Sequence, residues 1–529
     1  MPRAKILLAI LAVVAAEAQH NHTPAPSLPK AFNEPMPLYT KPLGKFQRPI
    51  SSSNREAQAY VNQGFQLLYA FDQGDAVRSF REAEKRDPNC AICYWGEAWS
   101  WGSSLNSAMP PDDAPFAFAA IQKARQLAPG HANAVERALI DAMSVRYVEH
   151  FDPAKKRDQD TAYADAMRKV YEQFPKDVDV GTLYGEALFL LEPRRGWRDI
   201  HTPNVQRILR VFESVLAIDS RHVGACHLYI HLTEATTEPA RAEACAESVG
   251  NAVPGASHLN HMPSHTWNQL GRWGDSVRAN LQAWHSDQKA AIGEGFAIYP
   301  SHNLHMLLFA ASMDGQGAIA MQAARDYDKM VGDHLYPILT LVRFGRFDEI
   351  LEIPKPAKDA NAAAVWDFGQ GYARLRKGEK DFARAHLNRL TDAASKASGT
   401  FRFNPASDVL GTLSGILQGE IYRADGNLKK AIAAFESGAA KEDALNYDEP
   451  EALPFDARHW LGAALLEAKD YARAERVYRQ ELKRHPHNGW SLVGLKAALE
   501  GQGKPATDVE KDFEASWAGS DTWIHASRF

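Results

Sequence analysis

Small and large apolar residues recur along this chain at fixed intervals, with polar faces between them. Over residues 455–488, Leu461 and Gly462 take places 7 and 8 of a 34-residue unit, Tyr471 place 17, Ala474 place 20, Tyr478 place 24 and Pro486 place 32. Residues 57–90 repeat the spacing, with Gly64 at 8, Ala76 at 20, Phe80 at 24, Ala83 at 27 and Pro88 at 32. Small residues at 8 and 20 let two helices approach closely, and large ones fill the gap to the next unit. The period therefore predicts stacked helix-turn-helix units. Looser helix pairs follow the same rhythm near 91–129, 131–175, 178–218, 223–254, 257–287, 301–331, 331–353, 360–398, 404–440 and 489–517, and no segment is rich in strand signals. Insertions at 103–113, 148–157 and 191–203 fall at turns, where extra chain is tolerated and decorates one face.

These positions resemble the tetratricopeptide repeat (TPR) family over roughly residues 55–518. The resemblance implies an all-α, TPR-type solenoid: a superhelical array of about ten or more helix pairs. The expected organisation is a leader over 1–18, an extended Pro-rich arm over 19–54, N-terminal repeats with insertions over 55–220, a histidine-rich centre over 221–331 and C-terminal repeats over 332–529.

The first 18 residues have the layout of a cleavable export signal. Arg3 and Lys5 supply positive charge, residues 6–15 a short apolar run, and Ala16-Glu17-Ala18 a small-x-small cleavage site. The mature chain is expected to begin near Gln19, in a periplasmic or secreted location. In such a compartment disulfides form. Cys226 and Cys245 fall on the two helices of one repeat and are a candidate bridge; Cys90 and Cys93 form a CxxC, read as structural or free thiols rather than a redox site. A net charge of −5 over 529 residues argues against a nucleic-acid binder, which needs a strongly basic surface. Beyond the leader, no apolar run is long enough to span a bilayer.

Histidine changes the picture most. Nine of the 20 histidines lie between His222 and His305. His227 and His231 are four apart, as are His261 and His265; His258 and His261 are three apart, as are His302 and His305. Residues so spaced share a helix face. In the TPR frame, His227 and His231 take places 5 and 9, His258, His261 and His265 places 2, 5 and 9, and His302 and His305 places 2 and 5. The resemblance implies that these places line the concave groove, so seven imidazoles from three successive first helices face one hollow. Seven exceed the ligand number of one ion, about four to six. Two ions, or one ion beside catalytic histidines, fit better. Glu234 and Glu186 fall in the same frame as ligands, orienting groups or a general base. His222, His285, His334 and His459 stand alone and read as ordinary core or surface residues. Trp95, Trp99 and Trp101 read as core, whereas Trp267 and Tyr299 adjoin the histidines and are candidate pocket walls.

Pro263 sits inside the helix that carries three of the histidines and predicts a kink there. The segment His261-Met262-Pro263-Ser264-His265, with Leu270-Gly271-x-Trp273, resembles a motif in a poorly characterised group of bacterial exported TPR proteins; that resemblance implies a shared site but no established reaction.

The expected function is an exported metalloenzyme with a histidine-rich mono- or dinuclear site. All-imidazole ligation favours copper, then zinc or iron, and oxidation of a small organic substrate. Two alternatives stand beside it. One is a zinc hydrolase using Glu186 or Glu234 as base. The other is a non-catalytic scaffold or metal-binding module that takes a peptide or protein partner in the groove. An open groove favours the scaffold; insertions 103–113 and 191–203 folded over a closed pocket favour the enzyme.

Overall fold

A computed structural model describes residues 28–529, except Lys358; the expected leader lies outside the described residues. The described chain is a succession of helices in which each packs chiefly on the next in sequence. Its one small sheet is a hairpin of Thr400–Phe401 with Asn404–Pro405. This is the TPR-type all-α solenoid that the repeat spacing predicts. The packing logic is visible at two points. The Phe80 ring is pressed between Gly64 and Gly96, and the Tyr478 ring between Gly462 and Gly494, each glycine 16 residues from its ring. A Cβ at Gly96 would lie 2.2 Å from the Phe80 ring, and one at Gly64 2.6 Å from its other side. The ring has no room to retreat. Gly96→Ala gains about 1 kcal/mol of helix propensity but overpacks a closed site at a cost of about 1–3 kcal/mol. A net loss of up to about 2 kcal/mol is the expected result, read from the denaturant midpoint.

The array folds back on itself. Its interior forms two main apolar clusters, one drawn from residues between Met36 and Ile298, the other from residues between Val277 and Leu499. The Ser257–His261 and Pro263–Leu270 helices sit beside the first, and Pro300–Met313 belongs to the second, so the histidine-bearing helices meet at the junction. The arm ahead of the first helix pair is a packed strap. Tyr60 donates to the Met36 carbonyl at 2.7 Å, the Gly44 amide donates to Gln66 at 2.7 Å, and Arg48 reaches Asp177 and Asp179 at 2.9 and 2.6 Å. At the other end, Trp490 Nε1 donates to the Ser312 carbonyl at 2.9 Å and Trp273 Nε1 to the Pro486 carbonyl at 3.0 Å. The non-helical stretch between Leu428–Asp443 and Arg458–Glu467 crosses to the centre of the molecule. No helix among the described residues is long and apolar enough to cross a membrane.

Cys226 and Cys245 are bonded, with Cα atoms 4.9 Å apart, and so are Cys90 and Cys93, at 5.4 Å. Every cysteine sulfur is thereby withdrawn from metal ligation. Trp95, Trp99 and Trp101 are core, in aromatic contact with Phe65, Tyr69, Phe32 and Phe116.

Candidate metal centre

Three helical segments bring the histidines together. Val223–Thr233 projects His227 and His231 from one face. The next first helix is broken as Pro263 predicts: Ser257–His261 ends, and Pro263 opens Pro263–Leu270. That break leaves His258, His261 and His265 in one row. Pro300–Met313 adds His302 near its start.

Six imidazoles form two matched triangles. In the first, ring centroids are separated by 5.0 Å (His227–His231), 4.9 Å (His227–His258) and 5.9 Å (His231–His258). In the second they are 4.7 Å (His261–His265), 4.7 Å (His261–His302) and 5.9 Å (His265–His302). The triangles abut along two edges, His231–His265 and His258–His261, each 5.0 Å. Within each, the three ligand atoms lie within 4.8 Å of one another. The Nε2 atoms of His227 and His258 are 3.1 Å apart, and those of His261 and His265 3.2 Å. Two nitrogens bound tetrahedrally at about 2.0–2.1 Å would stand about 3.3 Å apart, so both pairs are already spaced as neighbouring ligands.

The backs of the rings are fixed. His227 Nδ1 is 2.6 Å from the Tyr69 carbonyl. His231 Nδ1 is 2.8 Å from Glu234 Oε1, and His265 Nδ1 bonds Glu234 Oε2, which also accepts from the Tyr447 hydroxyl at 2.7 Å. One carboxylate therefore holds one histidine of each triangle and directs both Nε2 atoms inward, as orienting carboxylates do around metals. Glu449 adds a second carboxylate: Oε2 lies 3.2 Å from His265 Nδ1, and Oε1 is clamped by Arg194 and Arg195. His231 Nε2, turned into the first triangle by the bond from its Nδ1 to Glu234, is buried with no hydrogen-bond partner. Buried polar atoms are rarely left so, and a cation in the triangle is the group that such a lone pair suits.

Burial pushes the His227 and His302 imidazoles down to about 3, and takes His231, His258 and His261 well below the usual histidine range. These rings are neutral, with lone pairs free for an ion. Burial also works against a proton on His265, but Glu234 and Glu449 outweigh it and hold that ring up to about 9, so an ion in the second triangle must displace the proton from its Nε2 while Nδ1–H stays on Glu234. Burial opposes charge on Glu234 too, and His265 and Arg194 overcome it, so its carboxyl stays below the usual range.

The remaining candidates lie elsewhere. His305 is buried, but its Nδ1 accepts from Arg402 at 2.7 Å and its ring packs on Tyr336 at 4.1 Å. It belongs to none of the convergent donor groups among the described residues. Glu186 is likewise in none of them; burial raises it, opposed by Arg146 and Trp99. Trp267 stacks under Arg272, whereas Tyr299 stands edge-on to His258 at 5.1 Å. His222 caps its helix by accepting from the Ala225 amide, His285 is exposed, His334 pairs with Asp328, and His459 is core. The six histidines are not on an open groove: five are 0–2% exposed, and only His302 reaches solvent. Both named insertions lie against them. Residues 191–203 supply Arg194, Arg195 and Arg198, whose guanidinium donates to the His231 carbonyl at 3.1 Å, and 103–113 supplies Asn106, which accepts from Arg194 at 2.9 Å.

Phe71, Tyr447 and Glu449 escape the repeat reasoning. Phe71, at left-handed φ of +64°, lies 4.2 Å from the His227 ring and parallel to His231 at 6.0 Å, covering the first triangle. The sequence signal for the other two is the acidic, Pro-containing run Asp448-Glu449-Pro450-Glu451 between the looser unit at 404–440 and the well-matched unit at 455–488.

Another buried group, Asp456, Glu481 and His485, also converges. Here the imidazole is itself the cation. Burial opposes its proton, but Glu451 and Glu481, at 3.3 and 2.9 Å, hold His485 up to about 10. Because the folded value is raised, the stabilisation is complete below the unfolded value of about 6.5 and is lost as pH rises through about 10. His485→Leu is expected to cost about 3 kcal/mol at pH 6. The gap between its urea midpoint and the parent's should narrow steadily towards pH 10.

No protein-family model matches the chain, and no curated protein matches it. Solved structures that align with it include the human IFIT1 dimer with m7Gppp-AAAA, at 12% identity over 88% of this chain and 90% of that one, with a TM-score of 0.31. The P58(IPK) TPR domain aligns at 13% identity over 84% and 98%, with a TM-score of 0.21. Likenesses this distant carry nothing about ligands. Fold and site together define the class: a TPR-type helical solenoid with a buried, histidine-lined centre able to hold metal.

Proposed function

We propose that the six histidines hold two metal ions, one per triangle, and that the protein is an exported oxidoreductase with copper as the favoured metal. The observation that carries this reading is the pair of matched imidazole triangles tied from behind by Glu234. A donor set of imidazoles, with every sulfur held in a disulfide, favours copper, then zinc or iron. Two redox ions side by side would supply a two-electron change, suited to oxygen-dependent oxidation of a small organic molecule. The chain's own residues fix the imidazole tautomers, exclude water and, through Arg194 and Arg195, hold Glu449 in place. The cover from both insertions supports an enzyme over an open scaffold. Both oxygens of Glu234 are committed to histidines and Tyr447, which supports an orienting role over that of a hydrolytic base. Export rests on the leader over residues 1–18.

The test is metal analysis and N-terminal sequencing of protein recovered from its native compartment. Two copper ions per chain and a start near Gln19 are expected. Two zinc ions would transfer the reading to a hydrolase. A well-folded protein that takes up less than one ion of any metal would overturn it. A loaded protein with no oxidase turnover across a substrate panel would leave a metal-binding module.

A further inference from the structure

The two triangles are alike in geometry but not in access. The first is sealed beneath Phe71, and the ring of Tyr299 closes it from the side. The second opens through His302 into a cavity of about 280 Å³. Tyr299, Tyr327 and Phe403 give this cavity aromatic walls, and Arg195, Arg402 and Glu449 give it charge. Three of the six non-glycine residues with left-handed backbones among those described, Phe71, Tyr299 and Arg402, are at the triangles or this cavity. Such backbone is strained for a residue with a Cβ, and it collects at functional sites. It is used here to shape one entrance.

We propose that this cavity is a substrate pocket for a small aromatic anion, a single ring bearing a carboxylate, held with its edge towards His302. The inference rests on the metal reading only for the role of the bound molecule; the pocket itself is built from other residues. Its size suits a single ring, falling just under the usual range for small-molecule sites, about 300–1,000 Å³. The two guanidiniums of the cavity differ in how far they are already bonded. Arg402 is engaged through all three nitrogens: Nε and one terminal nitrogen bond Asp448, that nitrogen also bonds the Glu449 carbonyl, and the other donates to His305. Arg195 donates through one nitrogen only, to Glu449, and its side chain is 31% exposed. Its guanidinium lies 3.9 Å from the centre of the Phe403 ring. Stacking fixes the plane of the guanidinium and leaves N–H groups along its edge, the arrangement that pairs with a planar carboxylate. Phe403 is 45% exposed, so part of its ring is open to a molecule in the cavity.

The test titrates benzoate, phenol and cyclohexanecarboxylate by calorimetry into metal-free and metal-loaded protein. Benzoate is expected to bind both forms at least about tenfold more tightly than phenol, the effect of one charge-assisted hydrogen bond, and about fivefold more tightly than cyclohexanecarboxylate, the effect of one aromatic contact. Arg195→Gln and Phe403→Leu should each weaken benzoate about tenfold, and Phe403→Leu should keep the parent's metal content. Phe403→Leu touches no carboxylate, so it decides the matter if Arg195→Gln disturbs Glu449. Equal binding of phenol would overturn the anionic part, and equal binding of cyclohexanecarboxylate the aromatic part. Parent-like binding by Phe403→Leu, or no benzoate binding to metal-free protein, would overturn the pocket. Benzoate binding to a protein that takes up no metal would overturn the metal reading and leave the pocket intact.

Discussion

Replacing His258 and His261 together by Gln is expected to remove both metal ions while the far-ultraviolet helical spectrum stays that of the parent. Each triangle loses one of its three rings, because His258 belongs to the first and His261 to the second. They are the mildest positions at which to do this. Neither ring touches Glu234 or Glu449, and each has an Nδ1 without a partner, so no buried ion pair is broken. Affinity should fall by at least about 100-fold, the upper end of what losing even an outer-shell partner costs. The change would be read by competition with a chelator of known strength and by the melting temperature. An ion held at 1,000 times its dissociation constant stabilises the fold by about 4 kcal/mol. The parent should therefore melt several degrees higher with metal than without, and the double variant at one temperature in both conditions. A variant that keeps two ions would remove the triangles from consideration. Replacing His231 and His265 instead would also lose metal, but it strips Glu234 of its partners and confounds ligation with stability.

The triangles follow the legible part of the sequence closely. Intervals of three and four residues put His227 with His231 and His258 with His261 and His265 on shared faces, and the proline predicts where the second helix breaks. Repeat phase then places neighbouring first helices side by side. What the repeat frame does not contain is depth. The frame puts these residues on a concave groove, but Phe71 comes from the first helix pair and Glu449 from a connection more than 200 residues beyond the Val223–Thr233 helix, and together with the insertions they bury it. Such contacts depend on how the superhelix closes, which is set by small rotations summed over many units. His305 illustrates the other limit. It shares a face with His302 by spacing, yet Arg402, from the small hairpin, claims its Nδ1. A partner 97 residues away leaves no trace in a helical period.

Glu234→Gln should weaken both ions together, by about 10–100-fold each, although no ligand is altered. The carboxylate accepts from His231 Nδ1 and His265 Nδ1 at once, one ring from each triangle. An amide has one oxygen and one NH₂ group, so it can accept from only one of the two. The other ring must then turn its protonated nitrogen towards the ion or rotate out of line, and its triangle loses a ligand. Stability should fall as well. Without metal, His265, held up to about 9 by Glu234 and Glu449, loses one of two counter-charges in a fully buried site, a change that costs about 3 kcal/mol when a buried pair is broken. Tyr447→Phe removes only the 2.7 Å hydroxyl bond to the same carboxylate and is expected to cost about 1 kcal/mol with two ions retained. The informative comparison is with His227→Gln, which lies in one triangle and should release one ion. Loss of one ion there and of both in Glu234→Gln would identify the carboxylate as the link between the two triangles. Release of a single ion in both variants would mean that the triangles bind independently and that Glu234 serves only the nearer one.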